Sequence, residues 1–563
     1  MDLKNIADKV IETDVLIIGG GMGGCPLSVK AREHGLTVTM MEKAKPERSG
    51  SAAVGLDHHG GPFPREGLTV YDLIDREIKL SERSGMPLPD VNIRYRVISN
   101  GFWAMEEMEK LGASMKWDDG KPSFVPGSGG GPRVGLRVHW RNVKPKLAAA
   151  TRKSKVNVLD RTSAIDLLTK GNTVVGATGI NIRTGEFIVV KARATVIATG
   201  SFNRNYEPET PQTWKHKFRY NFCPASICGD GLAIAYRAGA ELVSMDQIAG
   251  RPAFRHRDDL SEPFGNFVQN DGVPAKCFTW KGDEITSPNY ARYYELERKG
   301  LTPLYFTLEH LSDDYMKRVD VCTTEERFIS LKLAEDRGFD RKSHRFELMS
   351  PMPLGLQHRI SGVRSDEFSR TSMNGLFVVG DSMAGDGGGS GASTTGLLLG
   401  DSIFTYINEA DEPDIDKDQV ESQKQVISAP LARKNGTMAL ELECAVRYAC
   451  GRYAGILHSE GNLREGLRRL GTLKRFIPKL VAKNPHYLLG CLEVRNVLSL
   501  SELEMQAVLA RKETRGNFIS LDYPDKDPAM DGKIICQKLM DGKSYLEIKD
   551  QIGLKDEYCG GGK

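Results

Sequence analysis

The stretch Asp14 to Glu42, "DVLIIGGGMGGCPLSVKAREHGLTVTMME", constrains the fold more than any other part of the chain. "DVLII" is a short apolar run rich in β-branched residues, as in a buried parallel strand. Glycines follow at once, and "CPLSVKAREHG" then reads as a helix that stops at Gly35. "LTVTMME" is a second strand, so the order is that of a βαβ unit. Its glycines fit the spacing G-x-G-x-x-G at Gly19, Gly21 and Gly24. Gly19 permits the tight turn, Gly21 lets the backbone approach a pyrophosphate, and Gly24 lets the helix pack close to the strand. The pyrophosphate is expected on backbone N–H groups at the helix N-terminus, beside Met22. Glu42 closes the second strand, where a carboxylate accepts hydrogen bonds from ribose hydroxyls. A glycine-rich turn with no ligand would leave Glu42 unexplained.

At 563 residues the chain exceeds one compact core, and two or three domains are expected. A net charge of +3 gives no electrostatic footprint for nucleic acid. No apolar run approaches the roughly 20 residues of a membrane span. The start, "MDLKNIADKVIETD", lacks the apolar core of a signal peptide, so a cytoplasmic location is expected. The ten cysteines include no C-x-x-C pair, which argues against a disulfide framework and against a zinc or iron–sulfur site held by this chain alone. Buried free thiols are the simpler expectation, with no metal site.

Two distant segments distinguish FAD from a nicotinamide cofactor. "ARATVIATGSF" is a strand ending in Ala198, Thr199 and Gly200. "MNGLFVVGDSMAGDGGGSGASTTGLLLGDSI" (373–403) is a strand ending in Gly380 and Asp381, followed by a glycine–serine loop and a helix. Both resemble the second and third fingerprints of two-dinucleotide-fold flavoproteins, in which the aspartate binds the ribityl chain. By that resemblance a helix starting near Ser393 and Thr394 aims its positive end at the flavin pyrimidine ring. A nicotinamide enzyme has no use for this return strand.

"ARKETRGNFISLDYPDKD" (510–527) resembles the "R-x-E-S-R-G … D-x-P" signature of succinate dehydrogenase and fumarate reductase flavoproteins. "CGDGLAIAYRAGAEL" (228–242), with Asp230, is similar to the "TGDG" helix of the same superfamily. Within it, "RSGSAAVGL", "WRNVKPKLAAA" and "PFGNFVQNDGVPAKCFTWKGDEI" most resemble adenylylsulfate reductase alpha subunits. The implied fold is α/β: a Rossmann-like two-dinucleotide-binding FAD fold (1–244 and 350–408) with an inserted α+β capping domain (245–349). A C-terminal helical domain (409–563) completes it.

The resemblance also explains the small-residue loop after Glu42. It is expected to pass over the FAD, with Lys43, Ser49, Gly50, Ser51 and Gly55 against the cofactor and Ala164 on a neighbouring strand. Membrane-bound family members bond FAD through a histidine in "R-S-H-T"; Gly50 stands at that place here, so non-covalent FAD is expected.

Fumarate reductases protonate their alkene with an arginine in a motif similar to "T-E-x-x-R-G-E-G", which is absent here. In adenylylsulfate reductases, by resemblance, sulfite adds to flavin N5 while an arginine and a histidine bind the anion. The candidates here are Arg255 and Arg257 in "RPAFRHRDD", His358 and Arg359 in "LGLQHRISG", and Arg515 in "ETRG". Arginine presents a planar fork to an oxyanion, and histidine adds charge or a proton near neutral pH. His59 is a further substrate-facing candidate, with His58 beside it. Each of these has a plain alternative as surface charge or as a satisfied structural side chain. "DHHGG" replaces the asparagine that the subfamily carries over the flavin, which separates the fold from the substrate assignment.

The expected function is therefore an FAD-dependent oxidoreductase of a small anionic substrate, whose electron partner is a ferredoxin-like iron–sulfur subunit. The alternatives are an ene-reductase or dehydrogenase of a carboxylate or acyl substrate, and a flavin electron-transfer subunit.

Overall fold

The apolar run at 14–18 is the inner half of a ten-residue strand, β1 (Lys9–Ile18), in which Val15, Leu16 and Ile17 are fully buried. The computed structural model describes residues 3–56, 58–59, 63–64, 67–84, 87–115, 135–206, 224–247, 276–285, 290–314, 360–385, 388–455, 457–516 and 519–559, with short pieces between them.

After β1 come α1 (Gly24–Glu33) and β2 (Val38–Glu42), so the βαβ unit forms where the sequence places it. Helix α2 (Val143–Lys153) leads to β3 (Asn157–Asp160), β4 (Thr162–Lys170), β5 (Thr173–Asn181) and β6 (Phe187–Ile197). Helix α3 (Asp230–Ala238) follows, and the return segment supplies β7 (Leu376–Val378) and α4 (Gly389–Glu409). The strands make a seven-stranded sheet in the order β3-β2-β1-β6-β5-β4, with β7 also on β6. The β3, β2, β1, β6 and β7 pairings are parallel, and β4, β5 and β6 run as an antiparallel meander.

Helix α4 begins at Gly389, one turn before the expected start near Ser393. Glycine and serine are weak helix formers, so packing on α1 outweighs local preference here. The approach is close: a Cβ on Gly396 would lie 2.3 Å from the Gly23 carbonyl oxygen, and one on Gly400 would lie 2.7 Å from that of Leu27.

The segment between α3 and β7 carries the expected mixture of strands and helix. Lys276–Thr279, Glu284–Ile285, Leu304–Thr307 and Phe346–Leu348 pair in one sheet beside the helix Tyr290–Arg298. Phe306 and Phe346 share an apolar cluster with Val446, Leu463 and Val497 of the C-terminal part, so the two share a core.

The C-terminal part is helical through α5 (Lys417–Ala432), α6 (Ala439–Tyr453), α7 (Glu460–Lys474) and α8 (Pro485–Ala510). Its last portion differs from the all-helical expectation. β8 (Lys533–Met540) and β9 (Lys543–Asp550) form a hairpin that pairs with Leu242–Val243. Asp541 and Gly542 both have positive φ, as a two-residue type I′ turn requires, and Ile534 to Gln537 are buried against the flavin-fold side. Among the described residues no helix is long and apolar enough to cross a membrane.

Candidate flavin and substrate site

The site forms at the carboxyl ends of the parallel strands β1, β6 and β7, the crevice where open α/β sheets bind ligands. Gly19 has φ +108°, and a Cβ there would lie 2.4 Å from the Ala198 carbonyl oxygen. Only glycine lets these two turns touch. The Thr199 and Ser382 hydroxyls lie 3.2 Å apart, and Ser382 Oγ donates to the Gly200 carbonyl (2.9 Å). The Gly380 amide reaches Thr395 Oγ1 at 3.2 Å. Three segments far apart in the chain, at Gly19, at Ala198 to Gly200 and at Gly380 to Ser382, thus meet at one place, with Asp381 in the short turn after β7.

Glu42 is tied to the glycine turn directly. Its Oε2 accepts from the Gly20 amide (2.8 Å) and its Oε1 from the Ala44 amide (2.7 Å), and each oxygen keeps a lone pair for a ribose hydroxyl. Gly21 is open: a Cβ there would meet only the Ala198 carbonyl, at 3.7 Å, so a side chain would fill the space a pyrophosphate needs. Within the first turn of α1 the Cys25 amide donates to the Gly21 carbonyl (3.2 Å) and Pro26 has no N–H, so the amides left for a ligand are those of the glycine turn, Gly21 to Gly24. Ser49 Oγ and Thr394 Oγ1 are buried and have no hydrogen-bond partner among the described residues. These features fit FAD. Glu42 and the amides of the Gly21–Gly24 turn would hold its ribose and pyrophosphate, and Asp381 with the head of α4 its flavin half. When bound, FAD supplies a two-electron centre at N5; orientation and exclusion of water fall to the protein.

The loop after Glu42 returns to the head of α4. His59 is 2% exposed, and its Nε2 lies 3.1 Å from Ser393 Oγ. Ser393 Oγ also reaches the Ser390 (3.0 Å) and Gly389 (3.2 Å) carbonyls, and either partner can donate in the His59–Ser393 pair according to the imidazole tautomer. Trp140 packs edge-on at 5.7 Å and Phe63 at 5.5 Å, closing the imidazole off from bulk water. Leu56 and Trp140 exchange backbone hydrogen bonds at 3.3 Å, which pins the loop to the segment before α2.

Other sequence candidates lie elsewhere. The Lys43 ammonium meets Asp230 (2.7 Å), Glu493 (2.8 Å) and the Ser226 carbonyl (2.8 Å), and fills the centre of the Cys228–Asp230–Glu493 cluster. Burial raises the Asp230 carboxyl, but the Lys43 charge together with hydrogen bonds from Lys43, Asn496 and Cys228 holds the group below its usual value. Burial, reinforced by Asp230 and Glu493, pushes the Cys228 thiol well up. Arg515 is buried and bonded to Glu513 (2.7 Å), Asp531 (2.7 Å) and the Asp527 carbonyl (3.0 Å). Through Glu513 it joins Arg511, which pairs with Asp246, so Arg515 belongs to a domain-joining network. Met22 and Ala164 are buried, Ser51 is exposed, and Gly50 and Gly55 both have positive φ.

The backbone of Arg255 pairs with Glu347 and Ser261. His358, Arg359 and Arg257 lie outside the described residues. Sequence reasoning missed Trp140 and Lys144, although both stand in "WRNVKPKLAAA". It also missed Arg204, which forks onto Glu443 (2.8 and 2.6 Å) and reaches Glu493 (2.6 Å).

An FAD binding domain family matches residues 14–55 and 96–264, and a fumarate reductase flavoprotein C-terminal family matches 446–550. Together they take in more than half of the chain. The chain belongs to the succinate dehydrogenase/fumarate reductase flavoprotein superfamily. It is an FAD-dependent oxidoreductase. Relatives in this superfamily match it end to end. The chain is 24% identical to a subunit of the fumarate reductase (CoM/CoB) of Methanothermobacter marburgensis, over 95% of this chain and 98% of that one. It is 23% identical to L-aspartate oxidase of Yersinia pestis, over 91% and 96%. An adenosine-5-phosphosulfate reductase solved with sulfite as a covalent adduct superposes with a TM-score of 0.81 at 22% identity, covering 97% and 96%. This last likeness is one of fold.

Proposed function

We propose that this chain is the flavoprotein catalytic subunit of an oxidoreductase that moves an electron pair between flavin N5 and a small anionic substrate, as in adenylylsulfate reductases. A ferredoxin-like iron–sulfur subunit exchanges electrons with it. The observation that carries this reading is the contact of His59 Nε2 with Ser393 Oγ. A buried imidazole beside the positive end of a 21-residue helix favours a negatively charged guest. His59 orients that guest or exchanges a proton with it, while Trp140 and Phe63 keep water away. The relatives' names support the charge class, since sulfite, fumarate and L-aspartate are all small anions.

A second reading, an unsaturated carboxylate as electron acceptor, is favoured by the whole-length relative that is named fumarate reductase.

Anaerobic titration with sulfite, following the flavin absorption band and then adding AMP, separates the two. Bleaching that responds to AMP supports the first reading. An unresponsive oxidised flavin, whose reduced form is reoxidised by fumarate or another unsaturated carboxylate, supports the second. A flavin that responds to neither sinks both and leaves the FAD fold intact.

A further inference from the structure

Lys144 is 1% exposed, an uncommon state for a lysine. It lies in the first turn of α2, where the helix dipole disfavours a cation, so helix stability does not account for it. Its ammonium donates to the Gly20 carbonyl, and no described carboxylate forms an ion pair with it. Gly20 is thereby held from both sides. Its amide donates to Glu42 Oε2 at 2.8 Å, and its carbonyl accepts from Lys144 and from the Cys25 thiol at 3.3 Å. Cys25 opens α1 directly after the glycine turn, Gly21 to Gly24, whose amides are left for a pyrophosphate. The Lys144 charge therefore sits directly behind the phosphate-binding backbone.

The buried Glu42 carboxylate holds the amide side of the same peptide without forming an ion pair with Lys144, and a buried ammonium with no ion-pair partner is unfavourable. A dinucleotide bound at this glycine turn would bring a pyrophosphate, with two negative charges, to the open space at Gly21. We propose that Lys144 is a positioning residue for FAD: it supplies the counter-charge of the pyrophosphate through the Gly20 peptide and fixes the outward aim of the turn. The inference rests on FAD binding alone and is independent of which anion is the substrate.

The test compares the full-length wild type with Lys144→Met, Lys144→Gln and Lys144→Arg, each stripped of flavin. Two quantities are read: the melting temperature of the apoprotein, and the Kd for FAD by flavin fluorescence quenching. The expected result is opposite in sign for the two. Met and Gln leave the apoprotein as stable as wild type or more so, because an unpaired buried charge is gone. They weaken FAD binding roughly tenfold or more, whereas Arg, which keeps the charge, retains most of the affinity. An apoprotein destabilised by both Met and Gln, with FAD affinity unchanged, would overturn the proposal and make Lys144 a packing residue. Equal loss of FAD affinity in all three variants, Arg included, would overturn it as well, since shape and not charge would then be at issue.

Discussion

Lys43 and Glu493 stand 450 residues apart in the chain, yet the ammonium of one lies 2.8 Å from the carboxylate of the other. Lys43 directly follows Glu42 at the dinucleotide end, and Glu493 belongs to α8. Arg204 continues the chain of charges to Glu443 on α6. The helical part is thus fastened to the flavin fold by buried ions beside the FAD site.

Removing Glu493 takes one carboxylate from two cations at once, leaving Lys43 with Asp230 alone and Arg204 with Glu443 alone. Glu493→Ala is expected to destabilise the protein by about 3 kcal/mol. Chemical denaturation monitored by circular dichroism checks this, and a change below experimental error would show that the ions are not coupled.

Asp230 gives the same network an acid limit. Its carboxyl titrates lower in the folded protein than its usual value of 3.8, because burial, which raises it, is outweighed by the Lys43 charge and the hydrogen bonds of Lys43, Asn496 and Cys228 taken together. The stability it contributes is fully present above the unfolded value and is lost as pH falls through the folded one. Asp230→Asn should therefore flatten the acid limb of a stability–pH profile, with little change in its slope above pH 5.

The contact between α1 and α4 has no room for a side chain at Gly396. Gly396→Val is expected to push the helices apart, cost about 1–3 kcal/mol and release flavin during purification. The flavin-to-protein absorbance ratio reads the release, and a variant with full flavin content would contradict the packing account.

The described cysteines differ sharply in access. Cys444 is exposed, whereas burial pushes the Cys277 thiol up to about 12 and the Cys536 thiol up to about 11. Reactive thiolate is correspondingly scarce at the buried positions near neutral pH. Cys444→Ser should remove one rapidly modified thiol from the native protein in a timed aromatic-disulfide assay.

The dinucleotide unit was legible because strand pattern, glycine spacing and the closing acid all act within thirty residues. The two later fingerprints were legible because they end strands of the same sheet, although only the fold brings Thr199 to Ser382. The β8–β9 hairpin carried its own signal, Asp541-Gly542 between alternating segments, which the helical character of 417–510 obscured. Lys144 left no trace, because a lysine in a polar helix reads as solvated and its partner Gly20 lies 124 residues away. Arg515 reads in the sequence as an active-site or interdomain arginine, and its enclosure by Glu513 and Asp531 is visible only in the fold.

The central claim is a non-covalent FAD held by the three converging turns, with Gly50 at the position where a bonding histidine would stand. The most direct measurement precipitates the purified holoprotein with acid and identifies the flavin in each fraction by chromatography. The account predicts one FAD per chain, all of it in the supernatant. Flavin that stays with the pelleted protein, or a supernatant holding FMN in place of FAD, would contradict it.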